Sequence, residues 1–125
     1  MRRGFTLLEI IVVLIIVGII ATLGLTQYTR VIEKGRTIEA KSNLGILRNL
    51  AVAQNEEFGN YTVNPITYGL STTAACDSKY YYYYVVATDG TGTATRCTGT
   101  AGKQPGGPSA YTLNLTVNGT LTTPY

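Results

Sequence analysis

Hydrophobic and polar positions change period twice along the chain. Residues 5–25 carry one charge, Glu9, and residues 10–21 are apolar without a break. At roughly 1.5 Å per residue such a run crosses a hydrocarbon core of about 30 Å, so the pattern predicts a membrane-compatible helix. Farther on, Ala40, Leu44, Leu47, Ala51 and Phe58 recur at helical intervals with Ile46 and Leu50 beside them. Lys41, Asn43, Arg48 and Asn55 are expected on the opposite face. With no Pro before Pro65, one helix over residues 5–58, roughly 80 Å long, is expected, and Gly59-Asn60 supplies its stop. A helix of that length outruns a compact domain of this size. Its first half is expected in lipid or a helix bundle, and its second half under a sheet.

Past residue 60 the period shortens to two. Asn64-Pro65, Gly69 and Ser71-Thr72-Thr73 mark residues 60–78 as a loop. Tyr- and Val-rich residues 79–87 predict a strand, Asp89-Gly90 with Gly92 a turn, and residues 93–98 a second strand. Pro105-Gly106-Gly107-Pro108 interrupts the sheet, after which Tyr111, Leu113, Leu115 and Val117 alternate with Thr112, Asn114 and Thr116. At Asn118-Gly119 a two-residue turn would set Thr116 opposite Leu121. A type I turn over Val117-Asn118, with Gly119 as a left-handed bulge residue, pairs Leu115 with Leu121 and keeps apolar groups together, so the bulged hairpin is expected. The five consecutive tyrosines Tyr80, Tyr81, Tyr82, Tyr83 and Tyr84 alternate in a strand, one set packing on the helix and the other facing outward. Strand propensity and packing suffice to explain them. The outward set is also a candidate contact surface for a neighbouring subunit, a sugar or DNA bases.

Composition narrows the chemistry. The 125 residues make one domain, or one domain with an anchor. Without His, and with only two Cys, a zinc site of the ordinary kind cannot be assembled. No paired-carboxylate or nucleophile–base arrangement emerges, so no enzyme is expected, and no cofactor. Asp77 and Asp89 are the acidic residues available to join backbone carbonyls around Ca²⁺, but no ligand-spaced acidic run exists and no metal is expected. The net charge of +3 includes Arg2 and Arg3 at the start, so nucleic-acid binding is not indicated by charge. Fifteen Thr lie in residues 62–125, and Asn60, Asn114 and Asn118 each begin an Asn-X-Thr triplet. Thr suits exposed strands, and surface glycosylation is a further use of such positions.

Two readings compete at the N-terminus. Basic Arg2-Arg3 before an apolar stretch fits a secretory signal, but the run exceeds the usual signal core of about 7 to 15 residues and passes into further helix without a cut site. A retained helix is expected. Arg30, Lys34, Arg36 and Lys41 after the span outnumber the two basic residues before it, which favours a cytoplasmic C-terminus. Cys76 and Cys97, in a Thr-, Tyr- and Gly-rich region, point the other way if they form a disulfide in an oxidising compartment. Two buried reduced thiols are the alternative.

Gly4-Phe5-Thr6-Leu7-Leu8-Glu9, with the apolar stretch to Tyr28 and Gly18 within it, resembles type IV pilins of the type IVa-like kind and their relatives, the type II secretion pseudopilins. The resemblance covers about the first quarter of the chain. It implies an α+β fold, with the long N-terminal helix packed on a small antiparallel sheet. It implies a leader at residues 1–4, a transmembrane and polymerisation helix at 5–28, an amphipathic continuation at 29–58 and a globular sheet domain at 59–125 with one disulfide, Cys76–Cys97. Cleavage between Gly4 and Phe5 by a prepilin peptidase and N-methylation of Phe5 follow, as does a C-terminal domain outside the cytoplasm. The implied product is a helical filament of identical subunits on the cell surface, drawn from the inner membrane by assembly machinery. Removing Arg2 and Arg3 with the leader leaves eight basic against seven acidic residues. Phe5 and Glu9 are the implied assembly residues, the carboxylate pairing with the α-amine of a neighbouring subunit. Spacing alone also allows a pair within one chain, since positions 5 and 9 are one turn apart. The chain departs from many relatives at Thr26, where they have Pro. Gly18 and Gly24 therefore carry the expected flexibility of this stretch, each costing about 1 kcal/mol relative to Ala. A secretion pseudopilin and a membrane-anchored monomeric binding module are the alternative readings.

Overall fold

A computed structural model describes residues 4–70, 75–98, 102–103 and 110–125. The breakers expected at Ser71-Thr72-Thr73 and at 105–108 lie outside the described residues. Helix α1 runs Leu7–Phe58. It begins two residues later than the apolar pattern suggests because Thr6 caps it, as detailed below. It ends where Gly59 enters the left-handed region at φ 72° and gives its N–H to the Asn55 carbonyl at 2.9 Å. The chain divides into two compact units, the second spanning Arg36–Tyr125.

In the first unit every residue from 4 to 31 is exposed. Ile10, Val17 and Leu25 are 48%, 56% and 68% exposed. The best window of this helix reaches a mean hydropathy of 2.9, and none of it is buried among the described residues. Three of its Thr hydroxyls bond back to the helix, Thr22 to the Gly18 carbonyl at 2.8 Å, Thr26 to Leu23 at 3.0 Å and Thr29 to Thr26 at 2.9 Å. Back-bonding hides these hydroxyls from an apolar surrounding at a small cost to helix stiffness.

In the second unit, Thr37, Ala40, Leu44, Leu47 and Ala51 form the buried stripe of the helix, at alternating steps of three and four. They face the four-stranded sheet of β1 (Tyr82–Val86), β2 (Gly92–Arg96), β3 (Thr112–Leu115) and β4 (Leu121–Thr122). The strands lie side by side in chain order and are antiparallel throughout. Tyr84, Ala94 and Leu113 stand in register on its inner face. Small residues on β2 make room for the helix, since a Cβ on Gly92 would sit 3.1 Å from the Leu44 side chain. Arg96 continues this inner column and is buried, its guanidinium donating to the Cys97 and Tyr81 carbonyls. Its charge hides a core position from any pattern of apolar residues.

Several expectations are corrected at the edges of this packing. Phe58 and Ile46 are 65% and 46% exposed, because one lies at the helix end and the other on its outer side. Asn43 and Arg48, expected to face away, flank the stripe and reach the sheet. The Asn43 amide donates to the Tyr84 hydroxyl at 2.9 Å, and Arg48 Nε to the Val117 carbonyl at 2.7 Å. Lys41 likewise reaches the Tyr125 carbonyl at 3.3 Å. The strands are shorter than alternation suggests, since Ser78-Lys79 form a turn on the Asp77 carboxylate and β1 starts only at Tyr82.

Both hairpins close in the same way. Gly90 N–H donates to the Ala87 carbonyl and Gly119 N–H to Thr116, each at 2.9 Å, and both glycines have φ near 90°, at 83° and 90°. Each is a type I turn followed by a glycine bulge, and Leu115 pairs with Leu121 as expected. The Cys76–Cys97 disulfide is formed, with Cα atoms 5.5 Å apart, and ties the approach to β1 to the end of β2.

Burial pushes the Tyr84 hydroxyl up to about 12 from an ordinary value near 10. The Asn43 hydrogen bond partly offsets this, while Glu39 and Tyr82 add to it. Below pH 10 the protonated group is at home in both folded and unfolded chain. Between about pH 10 and 12 the unfolded chain gives up its proton first, so stability falls by about 1.4 kcal/mol per pH unit from this group. An ultraviolet titration of the full chain is expected to contain a step from Tyr84 about two units late. Tyr84→Phe removes that late step. Identical titration curves for the wild type and Tyr84→Phe above pH 10, after allowing for one tyrosine fewer, would contradict it.

Candidate functional site

The chemistry-bearing residues of the first unit gather at the start of α1. Thr6-Leu7-Leu8-Glu9 is a capping box. The Glu9 carboxylate accepts the Thr6 backbone N–H at 2.8 Å and the Thr6 hydroxyl at 3.0 Å through one oxygen, Oε2, and the Thr6 hydroxyl accepts the Glu9 N–H at 3.3 Å. The negative group also sits at the positive end of the helix dipole. Preceding the cap, Phe5 is 84% exposed, and a Cβ at Gly4 would meet nothing within 4 Å among the described residues. The structure thus sets Glu9 onto Thr6, a residue that sequence reasoning passed over although its Thr-X-X-Glu spacing was legible.

The cap does not exhaust Glu9. A carboxylate has about four lone-pair sites, and both contacts here fall on one oxygen. The second oxygen is chemically able to accept from a cation, so capping and pairing with an amine are compatible.

The tyrosine run divides as a strand requires. Tyr82 and Tyr84 are 1% and 2% exposed and belong to the core, which removes them from the candidate contact surface. Tyr82 also pairs hydroxyl to hydroxyl with Tyr111 at 2.7 Å. Tyr80, Tyr81 and Tyr83 are half-buried. Cationic groups lie over two of these rings, Arg36 and Lys103 at 4.8 and 4.9 Å from the Tyr81 centroid and Lys79 at 5.5 Å from that of Tyr80. Asp77 and Asp89 lie at opposite ends of β1 and are not brought together. Of the Asn-X-Thr residues, Asn60 and Asn118 are exposed in turns, while Asn114 lies in β3.

The model of the prokaryotic N-terminal methylation motif matches residues 1–25. The chain carries the N-methylation motif of the type IV pilin and pseudopilin superfamily. Its architecture, a long N-terminal helix packed on a four-stranded antiparallel sheet, is pilin-like. No curated protein and no solved structure matches the chain. Proteins of this superfamily are structural and non-enzymatic. The motif implies processing by a prepilin peptidase and handling by assembly machinery, and with the apolar helix it points to membrane anchoring before assembly.

Proposed function

We propose that the chain is a type IVa-like pilin, a subunit that polymerises through its N-terminal helix into a filament on the cell surface. The carrying observation is the apolar helix of the first unit, exposed at every residue from 4 to 31. A continuous apolar surface of this kind marks a face that lipid or protein must cover. Lipid covers it in the inner membrane, with the C-terminal unit outside the cytoplasm, and the same helices of neighbouring subunits cover it in the filament. Cleavage after Gly4 and N-methylation of Phe5 prepare the subunit. The new α-amine of Phe5 then meets the free oxygen of Glu9 on a neighbour and sets the register of the bundle. Gly18, Gly24 and the back-bonded Thr22 and Thr26 supply the compliance with which the helix adapts from lipid to bundle.

Electron microscopy of sheared surface material, with mass spectrometry of the subunit N-terminus on the same sample, tests this reading. Filaments whose subunit begins at methylated Phe5 are expected. Absence of filaments, with Met1 intact in the membrane fraction, would move the weight to a membrane-anchored monomeric module.

A further inference from the structure

The two ends of the second unit differ in net charge. At the end where this unit begins, Arg36 and Lys103 lie over the Tyr81 ring and Lys79 over the Tyr80 ring. The Lys103 N–H donates to the Tyr80 carbonyl at 3.2 Å, so its backbone is tied to the same place. Lys79 and Lys103 are exposed, and their stacking on tyrosine holds the ammonium groups on a defined surface. Of the acidic residues at this end, Asp77 has its carboxylate engaged by the Lys79 N–H at 2.8 Å, and Glu39, exposed on the helix three residues past Arg36, is offset in charge by Lys41 two residues on.

β1 runs beside the helix in the same direction, as Arg36 over Tyr81 and Asn43 on Tyr84 show. The β1–β2 turn therefore lies toward the other end. There a Cβ on Gly90 would meet Tyr61 at 2.8 Å and Val117 at 2.7 Å. This end carries Glu56 and Glu57 in the last turn of α1 and Asp89 at the hairpin tip, all exposed. Arg48, on the approach to it, is drawn inward to the Val117 carbonyl. Glu57 lies twenty-one residues along the helix from Arg36, roughly 31 Å away.

We propose that the basic end of this unit, Lys79, Lys103 and Arg36, docks on the acidic end, Glu56, Glu57 and Asp89, of a second copy of the chain. The two surfaces are opposite in sign and belong to opposite ends, so the contact is head-to-tail. A heterologous contact of this kind does not close on itself and propagates as an open array. Like ends repel, which disfavours the antiparallel arrangement. The inference rests on the filament reading and names a second contact between subunits, independent of the N-terminal helix.

Carbodiimide coupling of filaments of the full chain, read by mass spectrometry, tests it directly. Amide bonds from Lys79 or Lys103 to Glu56, Glu57 or Asp89 are expected, and the helix rise places Lys79 and Glu57 of one chain too far apart for a zero-length link. Charge reversal supplies the second arm. Lys79→Glu with Lys103→Glu, or Glu56→Lys with Glu57→Lys, is expected to lower filament yield about tenfold. The quadruple reversal restores it, because the ends are again complementary. Circular dichroism of each variant reports folding. Wild-type filaments without these cross-links, with both double variants assembling at wild-type yield, would overturn the inference and leave the filament reading standing. No wild-type filaments at all would overturn both.

Discussion

Glu9→Leu is expected to abolish filament formation while leaving the second unit folded. The substitution removes the acceptor of the capping box and the anion that receives the Phe5 amine of a neighbour. An ionised group left unpaired in an apolar setting costs at least about 2.5 kcal/mol even on lenient insertion scales. Each unmatched amine buried in the bundle carries such a penalty, and it recurs at every subunit. Two further variants separate cap from charge. Glu9→Gln keeps a capping acceptor, since Gln serves at this position of the box, but loses the charge. Thr6→Ala keeps the charge and loses a cap worth about 1 kcal/mol. Filament yield from sheared cells is expected to fall as far with Gln as with Leu, and to fall only modestly with Ala at position 6. Wild-type yield from Glu9→Leu would sink the pairing, and wild-type yield from Glu9→Gln with equal losses from Glu9→Leu and Thr6→Ala would assign the effect to helix capping instead.

The second large effect concerns stability. Cys76→Ser with Cys97→Ser is expected to remove about 3 kcal/mol from the second unit, because the bridge closes a loop over a separation of 21 residues. For a domain of this size, each kcal/mol moves the melting temperature by about 4–8 °C, so a drop of roughly 15 °C is expected in thermal unfolding of the full chain in detergent. Reductant is expected to produce the same drop in the wild type. A shift under about 5 °C would show that β1 and β2 are held by their ladder and by Arg96 rather than by the bridge.

The fold was legible wherever apolar residues kept a clean period. Ala40, Leu44, Leu47 and Ala51 announced the buried stripe, and the glycine-bulge hairpin at Val117-Asn118-Gly119 followed from the need to pair Leu115 with Leu121. What escaped notice was polar. Arg96 occupies the core because its guanidinium finds carbonyls there, and Thr37 joins the stripe although its hydroxyl disguises it. Asn43 and Arg48 read as solvent-facing, yet long polar side chains beside a stripe can reach around to a sheet. At the candidate site, Glu9 stood out as a lone charge, whereas Thr6 drew no notice because a hydroxyl between apolar residues is common. The tyrosine run gave its alternation but not its phase, since five identical residues leave open which set faces the helix.

Two turns with the same backbone differ in how much change they can absorb. At Gly90 the room for a side chain is taken by Val117 and Tyr61, so the first tip is locked against its neighbours. Gly119 has open space, with only an Arg48 nitrogen at 4.0 Å, and Asn118 beside it is exposed. Inserted or attached groups are tolerated where a tip carries few contacts. The fold therefore tolerates an inserted group at Asn118 better than at Asp89.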